Sequence, residues 1–350
     1  SLALSVKAQS VDADIILFAG VHFMAETAKV LCPDKKVLIP CTEAGCSLAE
    51  SCDEKDFAAF KAKYPGYKVV SYVNTSVGVK ALTDVCCTSS NALKVVESIP
   101  ADQPIIFAPD RNLGSYIQKL TGRENMVIWD GACHVHEEFS LEKILELKRQ
   151  HPAAQVVVHP ECRAYIVQVA DFVGSTAAIL DYCGKSSARE FIVVTEAGIL
   201  TEMKRRYPEK TFIPAPPDDE ACGCNNCRYM KMITLENIFT TLRDERPEIS
   251  LDEEVRRRAE RSDRHQVGFS LAGGRSSGRT ACAVTEAERR ISGRRPKRRN
   301  EGEPARPVAA KDEKREQGKE RRECGIPIRL GGCGAGRMKC EQRNSTIYFL

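Results

Sequence analysis

Residues Val127–Glu137 read Val-Ile-Trp-Asp-Gly-Ala-Cys-His-Val-His-Glu, with Cys133 near the centre and Glu138 next in line. A short apolar run that ends in Asp-Gly and meets a cysteine among histidines and acids is a strand delivering a thiol into a polar loop. Two other cysteines stand in the same kind of place. Cys46 follows Val37-Leu38-Ile39-Pro40 within Glu-Ala-Gly-Cys-Ser-Leu-Ala, and Cys227 follows Phe212-Ile213-Pro214 by a polar loop and leads into Met230-Lys231-Met232. They lie 87 and 94 residues either side of Cys133.

Outward from Cys133, β-branched runs alternate with amphipathic helical stretches from Val11 to about Asp244. The runs at 69–73, 85–88, 105–107, 127–129, 156–158, 191–194 and 212–214 are bounded by turn residues. Segments such as 113–120, 141–150 (capped by Ser140) and 199–207 have helical periodicity. Alternation of this kind predicts parallel sheets with helical crossovers. Aligning the runs exposes an internal repeat of roughly 90 residues, longer than most solenoid periods, and therefore repeated domains. The expected fold is α/β: three repeated α/β/α domains with parallel four-stranded sheets around a pseudo-threefold axis. They span residues 1–64, 65–150 and 151–260. The first is incomplete, with only two strands, at 15–18 and 37–39, before Cys46. By the repeat, Ser1 falls at the end of a second-strand loop, and the chain is expected to be truncated at its N-terminus.

Charge divides the chain differently. Residues 275–350 hold 20 Lys and Arg against 10 Asp and Glu, whereas the preceding 274 hold 32 against 38. Residues 261–350 are expected to form a basic, disordered tail. Its basic runs lack interleaved aromatics, so nucleic acid is not expected as a partner. No apolar run is long enough to span a membrane, and the first residues do not read as a secretory signal. Sixteen cysteines without such a signal indicate reduced thiols or a metal in a cytoplasmic protein.

In parallel α/β sheets ligands bind beyond the carboxyl ends of the strands, where every distinctive polar cluster here falls. Around a pseudo-threefold axis, Cys46, Cys133 and Cys227 converge. Three thiolates holding a four-iron cluster leave one iron open as a Lewis acid. Any one of these cysteines alone is equally well explained as an inert core residue. Cys222 and Cys224 offer a competing reading, since Cys224 and Cys227 form a Cys-x-x-Cys pair suited to zinc or redox chemistry. The loops Thr88-Ser89-Ser90-Asn91 and Gly174-Ser175-Thr176 each open a helix at matched repeat positions, which suits an anionic substrate as well as simple capping. His159 and Glu161 bracket a proline at a strand end, in an arrangement fit for acid–base work. Tyr72 and Asn74 hold the equivalent place in the second unit. His134 and His136 carry no assigned role.

Eight segments together resemble the quinolinate synthase family: 20–26, 43–49, Tyr-Val-Asn-Thr-Ser (72–76), Cys-Thr-Ser-Ser-Asn-Ala (87–92), Pro-Asp-Arg-Asn-Leu-Gly (109–114), His-Pro-Glu-Cys-Arg (159–163), Asp-Phe-Val-Gly-Ser-Thr (171–176) and Cys-Asn-Asn-Cys-Arg-Tyr-Met-Lys-Met (224–232). The resemblance covers roughly residues 1–260. It implies a [4Fe–4S] cluster on Cys46, Cys133 and Cys227. It also implies condensation of iminoaspartate with dihydroxyacetone phosphate to quinolinate in NAD biosynthesis, with loss of phosphate and water. Carried over, Ser1, Ser89 and Thr176 hold phosphate or carboxylate oxygens, and Tyr72, Asn74, His159 and Glu161 line the pocket. Tyr72 and Glu161 become the proton-transfer groups. The implied partner is the L-aspartate oxidase or dehydrogenase that supplies iminoaspartate. Alternative readings are an iron–sulfur hydro-lyase on another small carboxylate, or an inactive metal-binding relative.

Overall fold

The computed structural model describes residues 2–218, 225–273, 336–340 and 345–349. Ten strands precede residue 215: β1 Ile15–Leu17, β2 Lys36–Leu38, β3 Lys68–Tyr72, β4 Val85–Cys87, β5 Ile105–Ala108, β6 Met126–Ile128, β7 Gln155–Val158, β8 Phe172–Val173, β9 Glu190–Val194 and β10 Thr211–Pro214. Two more, β11 Gly336–Cys340 and β12 Ser345–Phe349, lie near the C-terminus. They form three four-stranded sheets. In the second sheet the order is β4-β3-β5-β6, and in the third the matching order is β8-β7-β9-β10, with every pair parallel. The expected α/β repeat is therefore present as two topologically equivalent units.

Alternate residues of each central strand face opposite layers, which is why these strands read as continuous apolar runs. Ile105 and Phe107 pack with Val70, Leu113 and Met126, while Ile106 and Ala108 pack with Phe57, Val69 and Val79. In the third unit Val156, Val158, Ile192 and Val194 face one cluster, and Val157, Phe191, Val193 and Phe212 the other.

The crossover helices begin where the sequence supplies caps. The Asp110 side chain accepts from Leu113 N at the start of helix Arg111–Thr121, which ends on Gly122 in the left-handed region (φ 66°). Ser140 caps Leu141–Gln150, as expected.

The first sheet departs from expectation. Its order is β11-β12-β1-β2, with β12 parallel to β1 (Ile15 opposite Ile347) and β11 antiparallel to β12. The C-terminal strands thus take the sheet positions that β3 and β4 hold in the second unit. The stretch 261–350, expected to be a disordered tail, therefore contributes two strands. The boundary expected at residue 260 also falls inside a helix, Glu253–Gly273. That helix packs across helices 22–31 and 77–81 and strand β4. Arg256 donates to Val30 O, and Ser262 Oγ donates to Lys80 O. No described helix is long and apolar enough to cross a membrane.

Candidate active site

Each of the three expected ligand cysteines is the N-cap of a four-residue helix. Cys46 precedes Ser47–Glu50, Cys133 precedes His134–Glu137, and Cys227 precedes Arg228–Lys231. All three thiols are free and half-buried, and all pack against one apolar cluster that includes Leu48, Tyr72 and Tyr229. Burial pushes Cys46 up to about 12, against the backbone N–H groups of Ala49 and Leu48, which favour its thiolate. Burial likewise raises Cys227, against the N–H groups of Met230 and Tyr229. The charge of Cys133 raises both, so Cys133 lies within electrostatic reach of each of the other two sulfurs.

Side chains beside the cysteines tie the three loops together. Ser47 Oγ lies 2.7 Å from His134 Nδ1, and the His134 ring meets Tyr229 edge-on at 6.3 Å. The Tyr229 hydroxyl donates to Glu50 Oε2 at 2.5 Å. Acids at the ends of the third strands seat the loops from behind. Glu196 Oε1 accepts from Cys227 N at 3.2 Å, and Asp110, at the equivalent repeat position, faces the Cys133 N–H. Burial first, then the charge of Glu161, push Asp110 up to about 8, so it is protonated at neutral pH.

Glu161 sits at the centre, 3% exposed. The Tyr72 hydroxyl donates to its Oε1 at 2.6 Å, across the gap between the second and third units. His136 Nδ1 lies 3.2 Å from Oε2, and the His136 ring stacks on His159 at 4.8 Å. Burial penalises the charge on Glu161, but the neighbouring His136 and the Tyr72 phenol outweigh it and hold the carboxyl below the usual range. Burial and the Glu161 charge raise Tyr72, which stays a proton donor. Burial pushes His159 down to about 4, leaving it neutral. Burial also opposes charge on His136, but the flanking Cys133 and Glu161 charges overrule it and raise His136.

The structure therefore brings Tyr72, His159, Glu161 and Cys133 together, and the Ser89 hydroxyl touches the Tyr72 phenol. Asn74 is half-buried two residues beyond Tyr72, and Thr176 is exposed at the start of helix Thr176–Lys185. Ser1, Cys222 and Cys224 lie outside the described residues.

Two members of the site carried no expectation. His136 is buried inside it rather than at the surface, and Asp110 is fully buried beneath it. A signal for Asp110 was its place in the strand-end loops that the repeat aligned with Glu196. His136 stands three residues after Cys133, within a helical turn of it.

Repeated α/β units whose strand-end loops converge on acids, imidazoles and thiols define an enzyme acting on a small polar substrate. A family model described as Quinolinate synthetase A protein matches residues 1–265. The chain is similar to the quinolinate synthase of Synechococcus sp., at 54% identity over 270 residues, 77% of this chain and 84% of that protein. It is 57% identical over 256 residues to the quinolinate synthase of Thermosynechococcus vestitus, covering 73% and 80%. With that of Chloroherpeton thalassium it shares 53% over 256 residues, covering 73% and 79%. The chain belongs to the quinolinate synthase family, enzymes of NAD biosynthesis.

Proposed function

We propose that this chain condenses iminoaspartate with dihydroxyacetone phosphate to give quinolinate, phosphate and two waters, using a [4Fe–4S] cluster held by Cys46, Cys133 and Cys227. The donor set fits the group. Three free thiols share one cluster of side chains, and helical N–H groups reach two of them. When bound, the cluster supplies an iron without a protein ligand, a Lewis acid for substrate oxygens.

The chain's own residues handle protons and orientation. Condensation and the loss of two waters require protons to leave carbon and to reach departing oxygens. Glu161, held ionised, is the acceptor, and Tyr72, held protonated 2.6 Å from it, is the donor. Neutral His159 is placed to hydrogen-bond a substrate oxygen. Asn74, Ser89, Thr176 and Ser1 are assigned to the phosphate and carboxylate groups. The carrying observation is the Tyr72–Glu161 hydrogen bond beside Cys133, which joins the second and third units. Iminoaspartate would come from an enzyme that oxidises aspartate. The cysteine usage favours the cytoplasm.

The test is iron and acid-labile sulfide after anaerobic reconstitution, followed by quinolinate formation. About four irons and four sulfides per chain are expected, lost in Cys133→Ser. Reconstituted chain that makes no quinolinate, or a full cluster on Cys133→Ser, would overturn the assignment.

A further inference from the structure

We infer that Cys133, His136 and Glu161 form a mononuclear zinc site in the cluster-free protein, and that zinc there excludes the iron–sulfur cluster by taking Cys133. The sulfur, an imidazole nitrogen and a carboxylate oxygen of these residues all lie within 4.8 Å of one another. Zinc–ligand lengths of about 2.0–2.3 Å put tetrahedral ligands roughly 3.5 Å apart, so small side-chain shifts close the site. Among the described residues this is the one such trio, and Cys46 and Cys227 are not part of it. A four-iron cluster spans a wider ligand triangle than a single ion does, so the two occupants need different partners for the same Cys133.

His136 carries the assignment. It is 6% exposed, and its Nδ1 has no well-formed hydrogen bond while facing Cys133 and Glu161. Its other nitrogen, Nε2, is 3.0 Å from Thr195 Oγ1. A histidine with one ring nitrogen held beside a hydroxyl oxygen and the other turned inward has the orientation seen in metal ligands. Glu161 is likewise braced, with Oε1 taken by Tyr72 and Oε2 turned to within 3.2 Å of His136 Nδ1, where an ion would sit between the two. One thiolate, one imidazole and one carboxylate are a borderline-soft set that suits zinc and leaves a fourth position for water. As the ion enters, protons carried by the ligand atoms leave to solvent.

The exclusion rests on the cluster reading above, whereas the zinc site does not. The experiment titrates cluster-free full-length chain anaerobically with zinc chloride against a chromophoric chelator, and with cobalt chloride as a spectroscopic probe. One tightly held zinc per chain is expected, with a cobalt charge-transfer band of single-thiolate intensity. His136→Gln and Cys133→Ser should weaken zinc about a hundredfold or more, Thr195→Val about tenfold, and Cys46→Ser less than about threefold. Far-ultraviolet circular dichroism checks that each variant is folded, and the cobalt spectrum needs no variant. One equivalent of zinc should block iron and sulfide uptake. Three-thiolate intensity with zinc lost in Cys46→Ser, zinc lost in Cys227→Ser but kept in His136→Gln, or no retained zinc each overturns the site. A chain that holds zinc yet never takes up iron would instead count against the cluster reading alone.

Discussion

The carbonyl oxygen of Glu161 accepts a hydrogen bond from Asn112 Nδ2 at 3.0 Å, so the central acid's backbone is held by a helix of the neighbouring unit. The same Asn112 amide reaches Glu137 Oε1 at 2.6 Å, and Glu137 Oε2 is clamped by Arg111 at 2.7 Å and Arg163 at 3.0 Å. This half-buried acid and its three donors lock the second unit's strand-end loop to the third's. Asn112→Ala should slow turnover by about tenfold to a hundredfold through misplacement of Glu161, since small displacements of a reacting group are costly. Iron content should stay unchanged. Unaltered kcat and KM would rule out this positioning role.

Tyr72→Phe removes the donor on Glu161 without changing ring volume. A rate loss of about 10²–10⁴ is expected, the range for a lost general acid, with normal iron and sulfide. Tyr72 stacks its ring into the apolar cluster that Phe would still fill, so the fold should persist. Wild-type turnover of the reconstituted variant would remove Tyr72 from the chemistry.

Gly131 lies two residues before Cys133, where a Cβ would come within 2.5 Å of the Pro109 carbonyl oxygen and would also strike the Ser51 hydroxyl. The Gly131 carbonyl in turn accepts from Arg111 N at 2.8 Å. Backbone on one side cannot yield as a flexible side chain would. Gly131→Ala is expected to lower stability by about 1–3 kcal/mol and to weaken iron retention, because the loop that carries Cys133 must shift. Thermal melts and iron analysis after gel filtration would show both effects. Unchanged melting would mean that the loop relaxes freely.

Asp263, fully buried on the helix that crosses to the second unit, has no well-formed hydrogen bond on either oxygen. Burial raises its carboxyl, with Lys80 pulling the other way. Glu26, also raised by burial, is drawn back by His22 and by the same Lys80. A raised carboxyl binds its proton more tightly in the folded chain, so stability falls as pH climbs from the unfolded value near 4 towards the folded one. Asp263→Asn removes that slope. It should match or exceed wild-type stability at pH 8 and narrow the difference between pH 5 and pH 8, as replacements of buried ions often do. A variant several kcal/mol less stable at both pH values would show the Lys80 pairing to dominate.

Much of the architecture could be read from residues alone, for a physical reason. Strands buried on both faces, such as Ile105–Ala108 and the stretch 191–194, appear as unbroken β-branched or apolar runs. The cysteines stood out because a repeat of the fold repeats its strand ends. His136 was not legible in the same way. Whether it or His134 turns inward depends on how a single helical turn is rotated, and its partners His159 and Thr195 come from another unit. The strands at 336–340 and 345–349 were hidden for a related reason. The strand at 345–349 pairs with Ile15–Leu17, more than 300 residues away, the strand at 336–340 joins the sheet only through it, and the charged stretch that precedes them carries no periodic signal.

That long-range pairing sets an order of events during synthesis. The second and third units have every strand within one stretch of about 90 residues and can fold as each leaves the ribosome. The first sheet cannot close until residues 345–349 are made, because β12 must find β1 more than 300 residues away. Cys46 belongs to that late-closing unit, so the first ligand cysteine to be translated is the last to be fixed in place.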